Sequence, residues 1–304
     1  MSSSTPDFHI HKLVIIGVGL IGGSLALALR EKSTVDEIIG VGRSVENLQR
    51  AIDLNVIDAF TQDASVAVKE ADVVIIAVPV GAFESVLKQI LPHISKNTVI
   101  SDVGSVKGEV VEIARRVMGK QIDQFVPAHP IAGSENSGVE AAFPSLFVDH
   151  NIIITPLAET RQDLLLLIES VWLSTGAKVL ALDDQLHDQV LGVTSHLPHV
   201  IVYALMDYLA QQPEQTLHYQ FAAGGLFDLT RIASSDAVMW RDICVSNQDK
   251  LSAIVREYAN SLNQLADQIE AGEGAQLEQL FRHAKTERGQ LADMRAAKKA
   301  STST

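Results

Sequence analysis

Residues 13–23 of this 304-residue chain read L-V-I-I-G-V-G-L-I-G-G, an apolar, β-branched run that leads into a glycine-rich turn. The run at 13–16 predicts a buried strand, and the residues after the turn predict a helix over 24–31. A further apolar run predicts a strand at 37–41, so strand, turn, helix and strand all fall within about 30 residues. This order predicts that the chain begins with a βαβ unit, in which two parallel strands flank a helix.

Three glycines in this turn have the spacing G-x-G-x-x-G: Gly17, Gly19 and Gly22. After a strand, the first glycine permits a tight turn, the second lets the backbone approach a pyrophosphate, and the third lets the helix pack closely. The helix N-terminus then offers unpaired N–H groups and the positive end of its dipole to the phosphates. The segment therefore predicts a dinucleotide-binding site; the alternative, a plain tight turn, is disfavoured by its context.

Beyond residue 41 predicted helices and strands alternate. We predict helices at 45–54, 83–90, 107–118 and 161–173. We predict strands at 73–78, 98–102, 125–128, 151–155 and 178–181. The alternation is typical of an α/β fold with a Rossmann-type, doubly wound parallel sheet.

From Leu182 onward the sequence reads almost entirely as helix, and we expect Pro198 to break its long apolar stretch at 186–209. We therefore predict that an all-helical domain follows the sheet domain. The predicted domains are a dinucleotide-binding domain at 1–181, a helical domain at 182–297 and a disordered tail at 298–304.

The charge of the chain limits its partners. It has 24 basic and 37 acidic side chains, giving a formal net charge of −13. Six of the basic side chains lie in 282–304, so the body at 1–281 is more acidic still. Such a body repels a phosphate backbone and an anionic bilayer, which argues against nucleic-acid and membrane partners. A small anionic substrate would then need a local cationic pocket.

Cysteine usage and targeting signals indicate the compartment. Cys244 is the single cysteine, which excludes an internal disulfide and any metal site with two or more cysteine ligands. The polar start of the chain lacks the apolar core of a signal peptide, and no apolar run approaches the about 20 residues that a membrane span needs. We therefore expect a soluble protein of the reducing cytoplasm.

The end of the predicted second strand reads Gly42-Arg43-Ser44, without the Asp or Glu that usually holds the ribose 2′-hydroxyl of NAD. A guanidinium group can bind a 2′-phosphate through two hydrogen bonds, whereas a carboxylate would repel it. We therefore expect a preference for NADP. The alternative is that Arg43 stacks on the adenine, which would permit NAD as well.

Ligands of open α/β sheets bind at the carboxyl ends of the strands, so the loops there are expected to meet the cofactor. The loop after the strand at 98–102 carries Ser105, which we place near the reactive end of the cofactor. The alternative role of Ser105 is to cap the helix predicted at 107. The expected cofactor-binding residues are Gly17, Gly19, Leu20, Ile21, Gly22, Arg43, Ser44, Val78, Pro79, Asp102 and Gly104.

Several histidines are candidates for chemistry. His129 follows a predicted strand and precedes a loop bounded by Pro and Gly, where an imidazole with a pKa near neutrality suits a general base. His196 and His199 share one face of a helix, with His187 and Asp188 earlier on the same stretch. A metal pair is conceivable there, but without an H-E-x-x-H pattern or cysteine ligands we predict no metal.

Cationic side chains are scarce in the second half of the chain. Residues 121–249 contain four Lys or Arg, and two of them, Arg231 and Arg241, lie within ten residues of each other. Both could be solvated surface charges, which is the usual position of arginine. Together they can also supply the cationic pocket that an anionic substrate needs in an acidic protein.

Six sequence blocks occur in a fixed order: G-V-G-L-I-G-G-S at 17–24, D-V-G-S-V-K-G at 102–108, H-P-I-A-G-S-E at 129–135, H-D-x-V-x-G-x-x-S-H-L-P-H at 187–199, F-D-L-T-R-I-A-S-S-D at 227–236 and M-W-R-D-I at 239–243. Over roughly residues 12–295 the chain resembles the prephenate/arogenate (cyclohexadienyl) dehydrogenase family of tyrosine biosynthesis. The resemblance implies oxidative decarboxylation of prephenate or arogenate with hydride transfer to NADP+ or NAD+, giving 4-hydroxyphenylpyruvate or tyrosine. It also implies a homodimer built by the helical domain.

The resemblance also implies roles for single residues. His129 matches the histidine that bonds the ring 4-hydroxyl and takes its proton, and Ser105 matches the serine that orients both groups. Arg231 matches the arginine that binds a substrate carboxylate. Residues that match the wall and mouth of the family's substrate pocket are His199, Trp240, Ser134, Glu135 and Asp228.

Two other functions are weighed against this one. Hydroxyacid dehydrogenases of similar architecture use a lysine of the helical domain as acid and base, but residues 183–248 contain no lysine. A non-catalytic NADP-binding sensor would keep the glycine turn without needing His129, Ser105 and Arg231 together. The sequence leaves the choice between prephenate and arogenate open.

Overall fold

The computed structural model describes residues 8–134 and 136–300, with every side chain among them except those of 298–300. Contacts divide the chain into two compact units, residues 1–248 and 249–304. The first unit contains two sheets and most of the helices.

The first sheet has six parallel strands in the order β3-β2-β1-β4-β5-β6, which confirms the predicted Rossmann-type sheet. Its strands are β1 (Ile10–Ile16), β2 (Val35–Val41), β3 (Ala59–Thr61), β4 (Val73–Ile76), β5 (Val99–Asp102) and β6 (Phe125–Val126). The order changes direction between β1 and β4, so the loops after these two strands meet at one edge of the sheet, where such folds bind ligands.

Helices cover both faces of this sheet. They are α1 (Leu20–Glu31), α2 (Val45–Asp53), α3 (Ala64–Ala67), α4 (Val80–Ile90) and α5 (Gly108–Met118). One apolar core lies between the sheet and α1 and α2, and a second lies between the sheet and α3, α4 and α5. The central strands are buried on both faces, which is why they read as continuous apolar runs without alternation. Burial of this apolar surface is the main force that holds the layers together.

Three β-strands form a smaller second sheet, β7 (Ala128–Pro130), β8 (Asn151–Ile154) and β9 (Lys178–Ala181), and α6 (Gln162–Ser174) packs on the first core. The pair β7–β8 is antiparallel and β8–β9 is parallel. The prediction of one strand over 125–128 is therefore wrong. Pro127 has no N–H for a sheet hydrogen bond, and the chain changes sheets there, with its carbonyl accepting the Thr155 N–H at 3.0 Å.

The helical part begins with α7 (Asp184–Leu191), a π-helical turn at Gly192–His196 and α8 (Leu197–Ala210). The expected break at Pro198 is wrong: Pro198 lies in the first turn of α8, directly after the wider π-helical turn, and the helical path continues through it. The helical path over Asp184–Ala210 is long and apolar enough to span a membrane by length and composition, so the expectation that no stretch reaches that length is also wrong. Its buried His187, Asp188 and His196 belong to the site described below.

Three more helices complete the first unit: α9 (Gln215–Gln220), α10 (Gly224–Thr230) and α11 (Ala237–Ser246). The long helices α12 (Gln248–Glu270) and α13 (Gly274–Ala300) follow. α12 begins at the last residue of the first unit, and the rest of α12 and all of α13 belong to the second unit. α13 continues to Ala300, into the segment expected as a tail, whose residues 301–304 lie outside the described part.

Gly17→Ala should destabilise the protein far more than Gly19→Ala. Gly17 has φ = +100°, and a Cβ there would lie 2.3 Å from the Ala77 carbonyl oxygen. Overpacking and the left-handed backbone together should cost about 3 kcal/mol of unfolding free energy. At Gly19 the Cβ position is open, so its alanine variant should lose about 1 kcal/mol or less, the cost of a poorer helix cap. Chemical denaturation of both variants measures the difference, and equal losses would contradict this packing.

Candidate active site

In the glycine turn after β1, backbone atoms occupy the space that side chains on two of the glycines would need. Besides the constraint at Gly17, a Cβ on Gly22 would lie 2.6 Å from the Gly17 carbonyl oxygen and 2.8 Å from Ile15 Cγ2. Around the Cβ position of Gly19, by contrast, no described atom lies within 4 Å. The turn is thus closed on its inner side and open on the side where a ligand can approach the backbone.

The N-terminus of α1 faces this opening with unsatisfied donors. Gly19 is its cap residue and provides no side-chain hydrogen bond, and the first turn contains no acidic side chain. The N–H groups of the first turn, at Leu20, Ile21 and Gly22, have no helical acceptor of their own. An open glycine flanked by helix N–H groups fits the pyrophosphate of a dinucleotide.

The end of β2 carries Arg43 and Ser44 in different environments. The Ser44 hydroxyl accepts the Asn47 N–H at 3.1 Å, capping α2, and donates to Glu46 Oε2 at 2.8 Å. The pKa of Glu46 is lowered by its own backbone N–H and by this hydroxyl. Arg43 is exposed, and its carbonyl accepts a hydrogen bond from Gln62 at 2.7 Å. The Ser44 hydroxyl is thus engaged in the cap, whereas the Arg43 guanidinium lies at the surface.

The end of β5 carries a buried ion pair. Lys107 has no exposed side-chain surface and binds Asp102 through its ammonium group. The same ammonium donates to the Ala128 carbonyl at 2.8 Å, and Asp102 accepts the N–H groups of Ala128 at 3.2 Å and Gly104 at 2.8 Å. Burial lowers the pKa of Lys107, against the opposing effect of Asp102. The pair holds both backbone groups of Ala128, the residue before His129.

His129, at the centre of β7, is buried and connects to the helical part. Its Nδ1 lies 2.8 Å from Nε2 of His187, and His187 Nδ1 lies 2.8 Å from Asp188 Oδ1. Burial is the largest cause that lowers the pKa of His129 well below its usual value; a positive charge on His187, when that ring is protonated, and the charge of Lys107 act in the same direction. The imidazole is therefore neutral near pH 7, the state that a general base needs.

Asp188 also caps α5 from a distant helix. Its carboxylate accepts the N–H groups of Lys107 and Gly108, each at 2.8 Å. The alternative role considered for Ser105, as the cap of this helix, is therefore wrong: the cap residue is Lys107, and the acceptor comes from α7. Burial raises the pKa of Asp188, but hydrogen bonds from His187 and these two N–H groups outweigh it and bring the pKa below its usual value.

A cavity of 540 Å³ opens between the loop after His129 and the helical part. Its lining residues are Gly133, Ser134, Asn136, His199, Arg231, Ile232 and Ser235. The same cavity is thus lined by three residues that were expected to contact substrate: Ser134, His199 and Arg231. Arg231 contributes a guanidinium group to this wall, which meets the requirement for local positive charge in an acidic protein.

Trp240 supports this wall from behind. Its ring stacks on His199 with a centroid distance of 3.7 Å and an interplanar angle of 20°. Trp240 is buried in a small cluster with Val106 and Ile243, so the segment after β5 contacts α11. Burial also lowers the pKa of His199, so this stacked ring is neutral.

His196 and Asn247 connect the cavity wall to Asp188. The Asn247 amide donates to the Asp188 carbonyl at 3.1 Å and lies 3.2 Å from His196 Nδ1. Burial lowers the pKa of His196 to about 4, and the Ser105 backbone lies close enough to act on it in the opposite direction. The His196 ring contacts Trp240 edge-on at 6.1 Å. Ser105 is thus placed between the end of β5 and the cavity wall.

The remaining expected site residues lie apart from the cavity lining. Asp228 is exposed on α10, and Arg241 is paired with Asp242 at 2.6 Å. Val78 and Pro79 follow β4 against the glycine turn, where a Cβ on Gly17 would meet Val78 Cγ1 at 3.2 Å. Glu135 lies outside the described residues.

Sequence reasoning assigned no role to Lys107, His187, Asp188 or Asn247. An adjacent His-Asp pair near a helix start, in a stretch that carries two more histidines, is the signal that could have indicated a buried pair.

Comparisons with known proteins extend over nearly the whole chain. Residues 25–181 match the family model for the prephenate dehydrogenase nucleotide-binding domain, and residues 183–285 match that for the prephenate dehydrogenase dimerization domain. The cyclohexadienyl dehydrogenase of Zymomonas mobilis is 34% identical, over 91% of this chain and 94% of the relative. The prephenate dehydrogenase of Bacillus subtilis is 37% identical, over 90% of this chain and 73% of the relative.

Solved structures agree with these relatives. The crystal structure of prephenate dehydrogenase from Aquifex aeolicus, in complex with hydroxyphenyl propionate and NAD+, has a TM-score of 0.87 and 34% identity and covers 94% of this chain and 99% of its own. Synechocystis arogenate dehydrogenase has a TM-score of 0.76 and 27% identity, over 92% of this chain and 99% of its own. Both family models and relatives 34–37% identical over most of the chain place this protein in the prephenate dehydrogenase family.

Proposed function

We propose that this protein catalyses the oxidative decarboxylation of prephenate to 4-hydroxyphenylpyruvate, with hydride transfer to a nicotinamide cofactor. The observation that carries the proposal is a neutral, buried His129 whose following loop lines a cavity that also contains Arg231 and His199. The names of the relatives support the same substrate class, and the hydroxyphenyl propionate of the Aquifex structure resembles the aromatic product of this reaction.

Some of these residues bind the cofactor and the substrate, and others transfer or orient the proton. The bound cofactor, held by the glycine turn and the N-terminus of α1, supplies the hydride acceptor. His129 takes the proton of the ring 4-hydroxyl as the hydride leaves, and Ser105 orients that hydroxyl. Loss of carbon dioxide makes the ring aromatic, which drives the reaction without a metal or a Schiff base. Arg231 binds a substrate carboxylate, with His199, Trp240, Ser134, Glu135 and Asp228 around the substrate.

We propose NADP as the preferred cofactor. The residues after β2 are Gly42, Arg43 and Ser44, with no carboxylate at the position that usually binds the ribose 2′-hydroxyl of NAD. The exposed guanidinium of Arg43 is available to a 2′-phosphate. Cofactor contacts are further proposed for Gly17, Gly19, Leu20, Ile21, Gly22, Ser44, Val78, Pro79, Asp102 and Gly104.

We propose a cytoplasmic homodimer with a domain boundary at 181/182. The two family models, which meet at residues 181 and 183, support the boundary, and the name of the second supports dimerisation. The helical part also exposes large apolar side chains, among them Phe221 at 79% and Phe227 at 65%, which a partner surface would cover.

An assay of both substrates with both cofactors tests the proposed function. Prephenate or arogenate, but not simple 3-hydroxyacids, should reduce the nicotinamide, as followed by its absorbance. Reduction by hydroxyacids alone would favour the alternative dehydrogenase, and cofactor binding without any reduction would favour the sensor. The ratio of prephenate to arogenate turnover decides which side chain the pocket selects.

His129→Asn should lower kcat by about 10²–10⁴-fold with little change in KM, because it removes the group that takes the hydroxyl proton. Steady-state kinetics with prephenate measures the effect. His150→Asn, at an exposed histidine on the surface, is the matched control and should behave as wild type. Near-normal turnover in the His129 variant would remove His129 from the mechanism.

Arg231→Ala should raise KM for prephenate by about 10–10²-fold with a smaller effect on kcat, because a charge-assisted hydrogen bond to a carboxylate acts in binding. Arg241→Ala removes a guanidinium that is paired with Asp242 and serves as the control with unchanged KM. A loss confined to kcat in the Arg231 variant would contradict the binding role.

Arg43→Ala should lower kcat/KM for NADP+ by about tenfold or more and leave that for NAD+ nearly unchanged, because a bidentate contact to the 2′-phosphate is lost. The second variant to measure is Glu46→Gln, which removes the carboxylate charge that the Ser44 hydroxyl contacts, three residues after Arg43 in sequence. Its kcat/KM is measured for both cofactors in the same way. A higher kcat/KM for NAD+ than for NADP+ in the wild type would overturn the proposed preference.

A further inference from the structure

Two side chains, His187 and Asp188, continue inward from His129 and form one hydrogen-bonded row with it. His129 Nδ1 meets His187 Nε2 at 2.8 Å, and His187 Nδ1 meets Asp188 Oδ1 at 2.8 Å. His187 and Asp188 are buried, with relative exposures of 0% and 2%. Water therefore does not compete for these bonds, and the protons along the row are fixed by the protein groups themselves.

The end of the row at Asp188 is an anion. Its carboxylate accepts the two N–H groups at the start of α5, from Lys107 and Gly108, and the positive end of that helix favours negative charge. These bonds and the one to His187 bring the pKa of Asp188 below its usual value despite its burial. An ionised carboxylate only accepts hydrogen bonds, so the proton in its contact with His187 belongs to His187 Nδ1.

The ionised Asp188 determines which ring nitrogen carries the proton in both His187 and His129. A neutral histidine carries one ring proton, and that of His187 is on Nδ1, so His187 Nε2 is an acceptor. The 2.8 Å contact then requires His129 to donate from its Nδ1. His129 Nε2 is left with the free lone pair, and it is the ring nitrogen available to a substrate. The Asp188 carboxylate, which reaches His129 only through His187, thus determines which nitrogen of His129 is basic.

We infer that His187 and Asp188 are positioning residues for the proposed reaction: they fix His129 in the tautomer whose Nε2 accepts the ring hydroxyl proton. The inference rests on the proposed function. When that proton arrives, it forms a bond to Nε2, the hydroxyl O–H bond breaks, and the Nδ1 proton stays in its bond to His187. The positive charge formed on His129 is stabilised through the neutral His187 by the Asp188 anion.

The charged and titratable groups around the row agree with this arrangement. Lys107, from the loop after β5, is paired with Asp102, which offsets part of its positive charge beside His129. His196, from the π-helical turn, is neutral, because burial lowers its pKa to about 4. The groups facing the row from these elements therefore leave Asp188 as the negative charge that orients it.

Two substitutions of His187 separate this role from simple packing. Gln places its amide where the Nε2 edge of histidine lies; its N–H can donate to Asp188 while its oxygen accepts from His129 Nδ1. Asn is shorter, so it keeps a donor near Asp188 but leaves His129 without its acceptor. We expect His187→Asn to lower kcat for prephenate by about 10²-fold and His187→Gln by less than about tenfold, with KM and cofactor affinity unchanged in both.

A second measurement reads the tautomer without any substrate. In full-length protein labelled with 15N-histidine, ring nitrogen shifts should show His129 protonated at Nδ1 and unprotonated at Nε2, with the signal identified by its loss in His129→Asn. His187→Asn should shift His129 toward the Nε2-protonated form, and His187→Gln should not. Matching melting temperatures would show that both variants fold alike.

The outcomes distinguish the inference from the proposed function. If the wild type turns over prephenate, two results would overturn the inference and leave the proposed function intact. One is full activity in His187→Asn, and the other is a wild-type His129 protonated at Nε2. Equal kinetic losses in both His187 variants with unchanged tautomers would also overturn it. Absence of prephenate turnover in the wild type would overturn the proposed function, while the 15N shifts would still test the row itself.

Discussion

Lys107 carries its ammonium group into the interior, where it binds Asp102 and the Ala128 carbonyl. Removing an ammonium from water is costly unless charged and hydrogen-bonding groups replace the solvent. Those groups come from the end of β5 and the start of β7, so the cost is offset only when both strands are in place. The backbone N–H of the same residue donates to Asp188 of α7. One residue thereby joins both sheets to the helical part.

The position of His129 follows from this junction. The Lys107–Asp102 pair holds both backbone groups of Ala128, which fixes the strand on which His129 lies. The Asp188 carboxylate, held by the start of α5, orients the histidine from its inner side through His187. Burial lowers the pKa of His129, while the Asp188 anion, acting through His187, favours the charge that forms when a proton arrives. Structural and chemical demands are thus met by one hydrogen-bonded group of residues.

Local patterns predicted the sheet well because its determinants are local. The apolar runs at β1, β4 and β5 and the glycine spacing at 17–22 each act within a few residues, and they placed the strands and the turn close to where they lie. The errors have physical reasons. Pro127 ends one strand and the chain enters another sheet, and Pro198 lies in a first helical turn that tolerates it. Neither outcome depends on the neighbouring residues alone.

The candidate site was predictable to the extent that its residues lie in short motifs. Ser134, His199 and Arg231 come from three separate segments and line one cavity. The cap of α5 was not predictable, since its acceptor Asp188 lies 81 residues from Lys107 in sequence. The partners of His129 were missed for the same reason: His187 is 58 residues away, and contacts at such separations leave no periodic signal.

The proposed reaction requires a buried, neutral His129 as the proton acceptor at pH values where an exposed histidine would be charged. The pH dependence of kcat/KM for prephenate in the wild-type enzyme tests it most directly, because this ratio reports the ionisation of the free enzyme. Because the pKa of His129 is lowered, we expect a constant kcat/KM from about pH 8 through 6.5, the usual histidine pKa, with the acidic decline only well below that value. A decline that is already under way above pH 6.5 would contradict it.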